Sequence, residues 1–341
     1  MKSLIQKLVE TPGPSGYESQ VRDLVRAEIE PLVDELRVDQ MGNLIARKGR
    51  KVAGGSKVML AAHLDEVGVA VTHIDEQGFA RFLPVGELDP LTCLGSRVRF
   101  LNGVTGVIGA ERLADEKKAP DFGQLFIDLG YSSRAECPLR VGDAAVFVQP
   151  FIELGERLVG KALDDRIGVA LLVEVLRQMQ TQKIQSAHEL YFVFSVQEQA
   201  GGRGAISAAF SVDPDLGLAV DATPCGDTPA GQKLAARLGK GPAIRVRDEH
   251  TLFDPGVVEW MIDAAQTAGL PFQMEVIEKA TSGGRAIQLT HSGVPVGCLT
   301  IPCRYLHSAS QMVDYRDVQV GVRLILELLR LPFDPGHSQP A

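Results

Sequence analysis

The 341 residues carry 43 acidic against 35 basic side chains, a net charge of −8, which argues against a nucleic-acid or anionic-membrane partner because both demand a basic surface. With 45% hydrophobic and 23% charged residues, the chain reads as a folded globular protein with room for about two domains, and no apolar run is long enough to span a bilayer. Cys93, Cys137, Cys225, Cys298 and Cys303 are scattered and outside any C-x-x-C spacing, so reduced, buried thiols and a cytoplasmic location are expected.

In chain order, residues 2–31 read as helical with a break at 11–16, and the first seven residues lack the apolar core of a secretory signal. Ser15 followed by Glu18 predicts a capping box opening the second helix. Short strands are expected at 35–39 and 43–47, then a strand buried on both faces at 57–62. From about Gly68 to Glu156 the pattern changes to short β-branched runs (69–74, 79–83, 97–100, 104–108, 124–128, 144–149) separated by Gly, Pro and Asp turns. That segment reads as a small barrel inserted into an α/β chain. Alternation then resumes: helix 165–179, strand 190–195, helix 204–210, strand 216–221, helix 257–268, strand 272–277, helix 285–289, strand 295–301 and a closing amphipathic helix 315–330. This order predicts a mixed sheet covered by helices on both faces; residues 334–341 read as a frayed tail.

Side chains able to bind metals or move protons cluster just beyond the apolar runs. His63 follows 58–62, Glu198 follows 190–196, Asp221 ends 216–220 and His307 follows 295–301. Strand ends in an open α/β sheet deliver side chains to one crevice, and imidazoles, carboxylates and a spare glutamate are the inventory of a hydrolytic metal centre. Asp164 and Asp165 open a helix beside it, and two adjacent acids aimed at one crevice are costly without a cation. Asp65, two residues beyond His63 on extended chain, shares its face and is expected to fix its tautomer. Position 199 is a neutral amide, Gln199, where another anionic ligand is expected. Other chemistries fit poorly: His188-Glu189 has Phe192 where a helical zinc motif needs histidine, Gly13-Pro14-Ser15-Gly16 lacks the flanking glycine of a nucleophile elbow, and Gly202-x-Gly204 ends in Ser207 where a dinucleotide fingerprint needs glycine.

The order of Thr11-Pro12-Gly13-Pro14-Ser15-Gly16-Tyr17-Glu18, Ala62-His63-Leu64-Asp65-Glu66-Val67-Gly68, Lys161-Ala162-Leu163-Asp164-Asp165-Arg166, Gln197-Glu198, Asp221-Ala222-Thr223 and Arg304-Tyr305-Leu306-His307-Ser308 resembles the glutamyl and deblocking aminopeptidases, co-catalytic metallopeptidases that often form tetrahedral particles. The likeness runs nearly end to end. It implies a zinc-peptidase-like catalytic domain at 1–67 and 157–341, and an inserted β-barrel at 68–156 that helps make dimers, with many members reaching twelve subunits. By position, His63 and Asp221 would hold one divalent ion, zinc or cobalt, and Asp164 would bridge to a second held by His307 and Gln199. Glu198 would be general base and acid in releasing N-terminal residues from short peptides. The resemblance also implies a cis Asp164-Asp165 bond. Three departures stand out: Glu198-Gln199 replaces paired glutamates, Thr281-Ser282-Gly283-Gly284-Arg285 replaces Gly-Gly-Thr-Asp-Ala, and His307-Ser308-Ala309-Ser310-Gln311 replaces His-Ser-Pro-x-Glu. The first makes a catalytically weakened or non-catalytic metal-binding homologue the alternative to an active enzyme.

Overall fold

A computed structural model describes residues 1–112, 118–280 and 282–333; the expected tail, 334–341, and Thr281 lie outside the described residues. Helix α1 (Lys2–Glu10) turns Leu4, Ile5, Leu8 and Val9 inward, the stripe expected of an amphipathic helix, and α2 (Ser19–Ile29) does the same with Val21, Val25 and Ile29. The expected capping box does not form. Glu18 is the N-cap residue of α2 but makes no side-chain cap bond, because its carboxylate accepts from the N–H groups of Gly16 (2.8 Å) and Gln197 (3.0 Å), while the Ser15 hydroxyl donates to Asp65.

Strands β1 (Glu35–Val38), β2 (Leu44–Lys48) and β3 (Lys57–His63) lead to the inserted barrel. It comprises β4 (Gly68–Ile74), β5 (Ala80–Val85), the single turn α3 (Pro90–Cys93), β6 (Arg97–Phe100), β7 (Thr105–Ala110), β8 (Leu125–Asp128) and β9 (Ala144–Phe147), closed in the order β4-β5-β8-β7-β6-β9. Alternation is clean in β6, where Val98 and Phe100 point in while Arg97 and Arg99 point out, and the interior is filled by Val69, Phe82, Ile108 and Ile127 among others.

The remaining elements are β10 (Ile152–Leu154), β11 (Arg157–Gly160), α4 (Leu163–Thr181), β12 (Glu189–Ser195), α5 (Arg203–Val212), β13 (Leu216–Pro224), β14 (Ala243–Arg247), α6 (Pro255–Thr267), β15 (Gln273–Val276), α7 (Gly284–Gln288), β16 (Val296–Arg304), β17 (Gln311–Asp314) and α8 (Tyr315–Arg330). With β1, β2 and β3 their strands form an 11-stranded mixed sheet, β1-β2-β12-β3-β13-β16-β17-β11-β10, with β14 attached to β16 and β15 to β14. The fold is therefore the mixed α/β sheet with a small barrel that the sequence predicts. Strands β10, β11, β14 and β17 were not expected; β10, inside the segment read as insertion, pairs with β11 of the large sheet. They were hidden because all four are short, three to five residues, and β14 carries Arg245 fully buried against Glu275 (2.7 Å).

Helix α4 explains the centre of the fold. Its first eleven residues are all buried, since it packs on β3 and β13 with α8 and α1 on its other side. Strands β12, β3, β13 and β16 run parallel, with Ser195 level with His63 and Asp221 level with Thr300. The chain steps from β12 past β3 to β13, so the strand order reverses there and a crevice opens at the strand ends.

Candidate active site

His63 is the last residue of β3 and Asp221 lies near the end of β13, both 5% exposed. Between them comes Asp164 from the start of α4, where the Asp164–Asp165 peptide bond is cis. Three hydrogen bonds fix that start. The Asp164 N–H donates to Gln311 Oε1 at 2.8 Å, and the buried Asp165 carboxylate accepts from the N–H groups of His63 and Gly168, each at 3.1 Å.

Asp164 divides its two oxygens between two sets of partners. Oδ1 lies 3.4 Å from His63 Nε2, which is itself 4.0 Å from Asp221. Oδ2 lies 3.0 Å from His307 Nε2 and accepts from Gln199 Nε2 at 3.2 Å. One nitrogen and two carboxylates from His63, Asp164 and Asp221 fall within 4.8 Å of one another, a donor set and spacing that suit a zinc-like cation.

The electrostatics agree. Burial, reinforced by the neighbouring Asp164, pushes the Asp221 carboxyl up to about 8. Burial also opposes ionisation of Asp164, yet contact with His307 and His63 holds it below the usual carboxylate range. For His63 burial opposes protonation, but Asp164 and Asp65 outweigh it and drive the imidazole well above its ordinary value. Carboxylates packed this closely need a proton or a cation among them.

Glu198 follows β12 and faces the same cleft, a cavity of about 850 Å³. Its Oε2 is buried with no hydrogen-bond partner among the described residues, and burial lifts its carboxyl to about 7. A carboxylate so placed can take up and release a proton. Its backbone N–H and that of Gln199 donate to Asp65 Oδ1 and Oδ2, each at 2.9 Å. Asp65 thus does more than the expected tautomer clamp. His63 Nδ1 is nearer to the Asp65 backbone oxygen (3.1 Å) than to its carboxylate (3.4 Å).

All seven sequence-derived residues, His63, Asp65, Asp164, Glu198, Gln199, Asp221 and His307, lie in this one crevice or directly behind it. Sequence reasoning missed Gln311, although it had marked that position as a departure. It also missed the barrel's approach after β5: Glu87 Oε2 lies 4.0 Å from His307 Nδ1. Gly86, at φ +87°, packs so close that a Cβ there would sit 2.7 Å from Gln199 Oε1. Only glycine suits both the angle and the space.

Comparison with known proteins points the same way. Residues 42–324 match the M42 glutamyl aminopeptidase family. A putative aminopeptidase of Acetivibrio thermocellus is 39% identical over 96% of this chain and 98% of its own. An aminopeptidase from the archaeon Desulfurococcus kamchatkensis superposes with a TM-score of 0.91 at 36% identity, covering 96% and 94% of the two chains. The Pyrococcus horikoshii TET1 peptidase, described as assembling into a tetrahedron or a large octahedral shell, does so at 0.87 and 30% identity over 96% and 99%.

Proposed function

Because the chain belongs to the M42 glutamyl aminopeptidase family and is an aminopeptidase, we propose that it releases N-terminal residues from short peptides with the help of divalent metal. His63, Asp164 and Asp221 would hold one ion, zinc or cobalt; Asp164, His307 and Gln199 would hold a second. When bound, such ions polarise the scissile carbonyl and acidify water. The protein's own part falls to Glu198, which accepts the proton of the attacking water and returns it to the leaving amine. Asp65 keeps Glu198 in place through the backbone, and the acids of the crevice receive the substrate's α-ammonium.

The observation that carries this reading is the unpartnered, buried Glu198 oxygen beside a buried cluster of His and two Asp. A non-catalytic metal-binding homologue would have no use for a free base kept there at the cost of desolvation. The test is a panel of aminoacyl chromogenic substrates with added zinc, cobalt or manganese, run beside Glu198→Ala. Activity indifferent to chelator and to that substitution rejects the mechanism.

The two metal positions are unequal in this reading. Gln199 gives its amide N–H to Asp164, a bond that takes the place of a cation's attraction and must break before a second ion enters. A neutral amide also binds a zinc-like ion less strongly than a carboxylate. The second position is therefore the weaker.

The catalytic unit in this reading comprises 1–67 and 157–341, joined by β10 from the end of the segment 68–156, with the barrel of that segment pairing subunits. Leu83, Leu91, Val107 and Val141 stand exposed on the barrel segment, apolar surface of the kind an interface covers, and the likeness to a TET1 structure described as a dodecamer supports a homo-oligomer of at least two and up to twelve subunits. The five cysteines are buried and unpaired, which fits the cytoplasm. No described helix is long and apolar enough to cross a membrane.

A further inference from the structure

The loop between α1 and α2 has a role that the capping-box reading concealed. Beyond β12, three successive backbone N–H groups point at two buried carboxylates. Gln197 donates to Glu18 Oε1 at 3.0 Å, and Glu198 and Gln199 donate to the two oxygens of Asp65. Gln197 has φ +56°, the left-handed region that a residue with a side chain seldom occupies unless its surroundings impose it. The turn that presents Glu198 is thus held from outside.

Both holding carboxylates are gripped by the same loop. Ser15 donates its hydroxyl to Asp65, and the Gly16 N–H donates to Glu18 Oε1 at 2.8 Å. Glu18 is 5% exposed and Asp65 is fully buried, so neither can trade these bonds for water. The loop has its own anchor: Gly13 and Glu66 exchange two hydrogen bonds of 3.0 Å, and Glu66 is paired with the buried Lys161 at 2.6 Å. A rigid support therefore stands behind the residues that touch the 197–199 backbone.

We propose that Ser15 and Glu18 are positioning residues that place the Glu198 carboxylate: Glu18 fixes the backbone at Gln197, and Ser15 fixes the Asp65 carboxylate that holds the next two N–H groups. The proposal rests on the reading of Glu198 as the proton-transfer group. What Glu18 supplies is an acceptor oxygen, which a glutamine supplies equally.

The test compares Glu18→Ala, Glu18→Gln, Ser15→Ala and Ser15→Thr with Glu198→Ala in the metal-loaded full chain, measuring kcat, KM, bound metal and Tm. Glu18→Ala is expected to lower kcat roughly 10- to 100-fold, the scale on which a misplaced reacting group costs rate, with KM and metal content held. Glu18→Gln restores most of kcat. Ser15→Ala gives a smaller loss that Ser15→Thr restores. Should Glu18→Ala fail to fold, Glu18→Asp withdraws the acceptor by one methylene and must lower kcat in the same way. A lower Tm with kcat per folded, metal-loaded molecule unchanged would mean that the loop only ties the chain together, and overturns the proposal. If Glu198→Ala keeps full activity, the reading of Glu198 fails and the proposal with it, an outcome that only that variant reports.

Discussion

The two sides of Asp164 differ in charge. Toward β3 and β13 it faces His63 and a second carboxylate, Asp221, in a fully buried group. Toward the β16 exit it faces His307 and Gln199, both neutral as ligands, with the exposed Glu87 of the barrel segment behind the imidazole. The first side crowds two carboxylates around one imidazole, a buried set that needs a proton or a cation among them. The second satisfies Asp164 with a hydrogen bond from Gln199 and needs no cation. A single amide can therefore separate two otherwise similar halves, because what differs is how well each is satisfied without metal.

The largest expected effect bears on what both halves serve. Glu198→Ala should lower kcat on the order of 10²- to 10⁴-fold, the range for loss of a general base, with metal content unchanged by elemental analysis. Next, Asp221→Asn should weaken the first site by more than about 100-fold, the upper end for loss of a supporting contact, and leave binding at the His307 side as it was; equal loss at both would erase the asymmetry. In the opposite direction, Gln199→Glu should tighten the second site by about 10- to 100-fold and lower the Tm of the chelated protein, since a carboxylate there would repel Asp164. An unchanged affinity would remove position 199 from the ligands.

The pH dependence is a finer test. Glu198 must be ionised to take a proton, and burial raises its pKa to about 7, while bound cations can only lower it. Activity should therefore rise with pH through an acid limb at or below about 7, read from kcat/KM; a limb well above 7 would contradict the assignment. The smallest effect concerns Gln311. Its removal strands the buried Asp164 N–H, so Gln311→Ala should cost about 1–3 kcal/mol of stability, measured by denaturant unfolding, with a modest loss of metal affinity. Gln311→Glu, which keeps an acceptor, should cost less.

His63, Glu198, Asp221 and His307 were legible in the sequence because each follows an apolar run, and parallel strands of that kind end at one edge of a sheet. The short β-branched runs between about 68 and 156 likewise announced a barrel, whose last strand ends at Phe147. What escaped depends on contacts distant in the chain. Ser15 and Glu18 have the spacing of a capping box, but their partners lie 50 and 179 residues away, and local spacing cannot reveal that. Arg245 hid β14 because a charge in a strand reads as exposed until Glu275, from β15, is seen beside it. Gln311 reads as a polar loop residue until the Asp164 N–H is found against it.

The central claim is the inequality of the two halves, and titration of the chelated, dialysed protein with zinc, followed by calorimetry and elemental analysis, tests it most directly. The account predicts one tight site and one markedly weaker, with Gln199→Glu bringing the second toward the first. Two ions per chain, equally tight and both surviving dialysis, would contradict it.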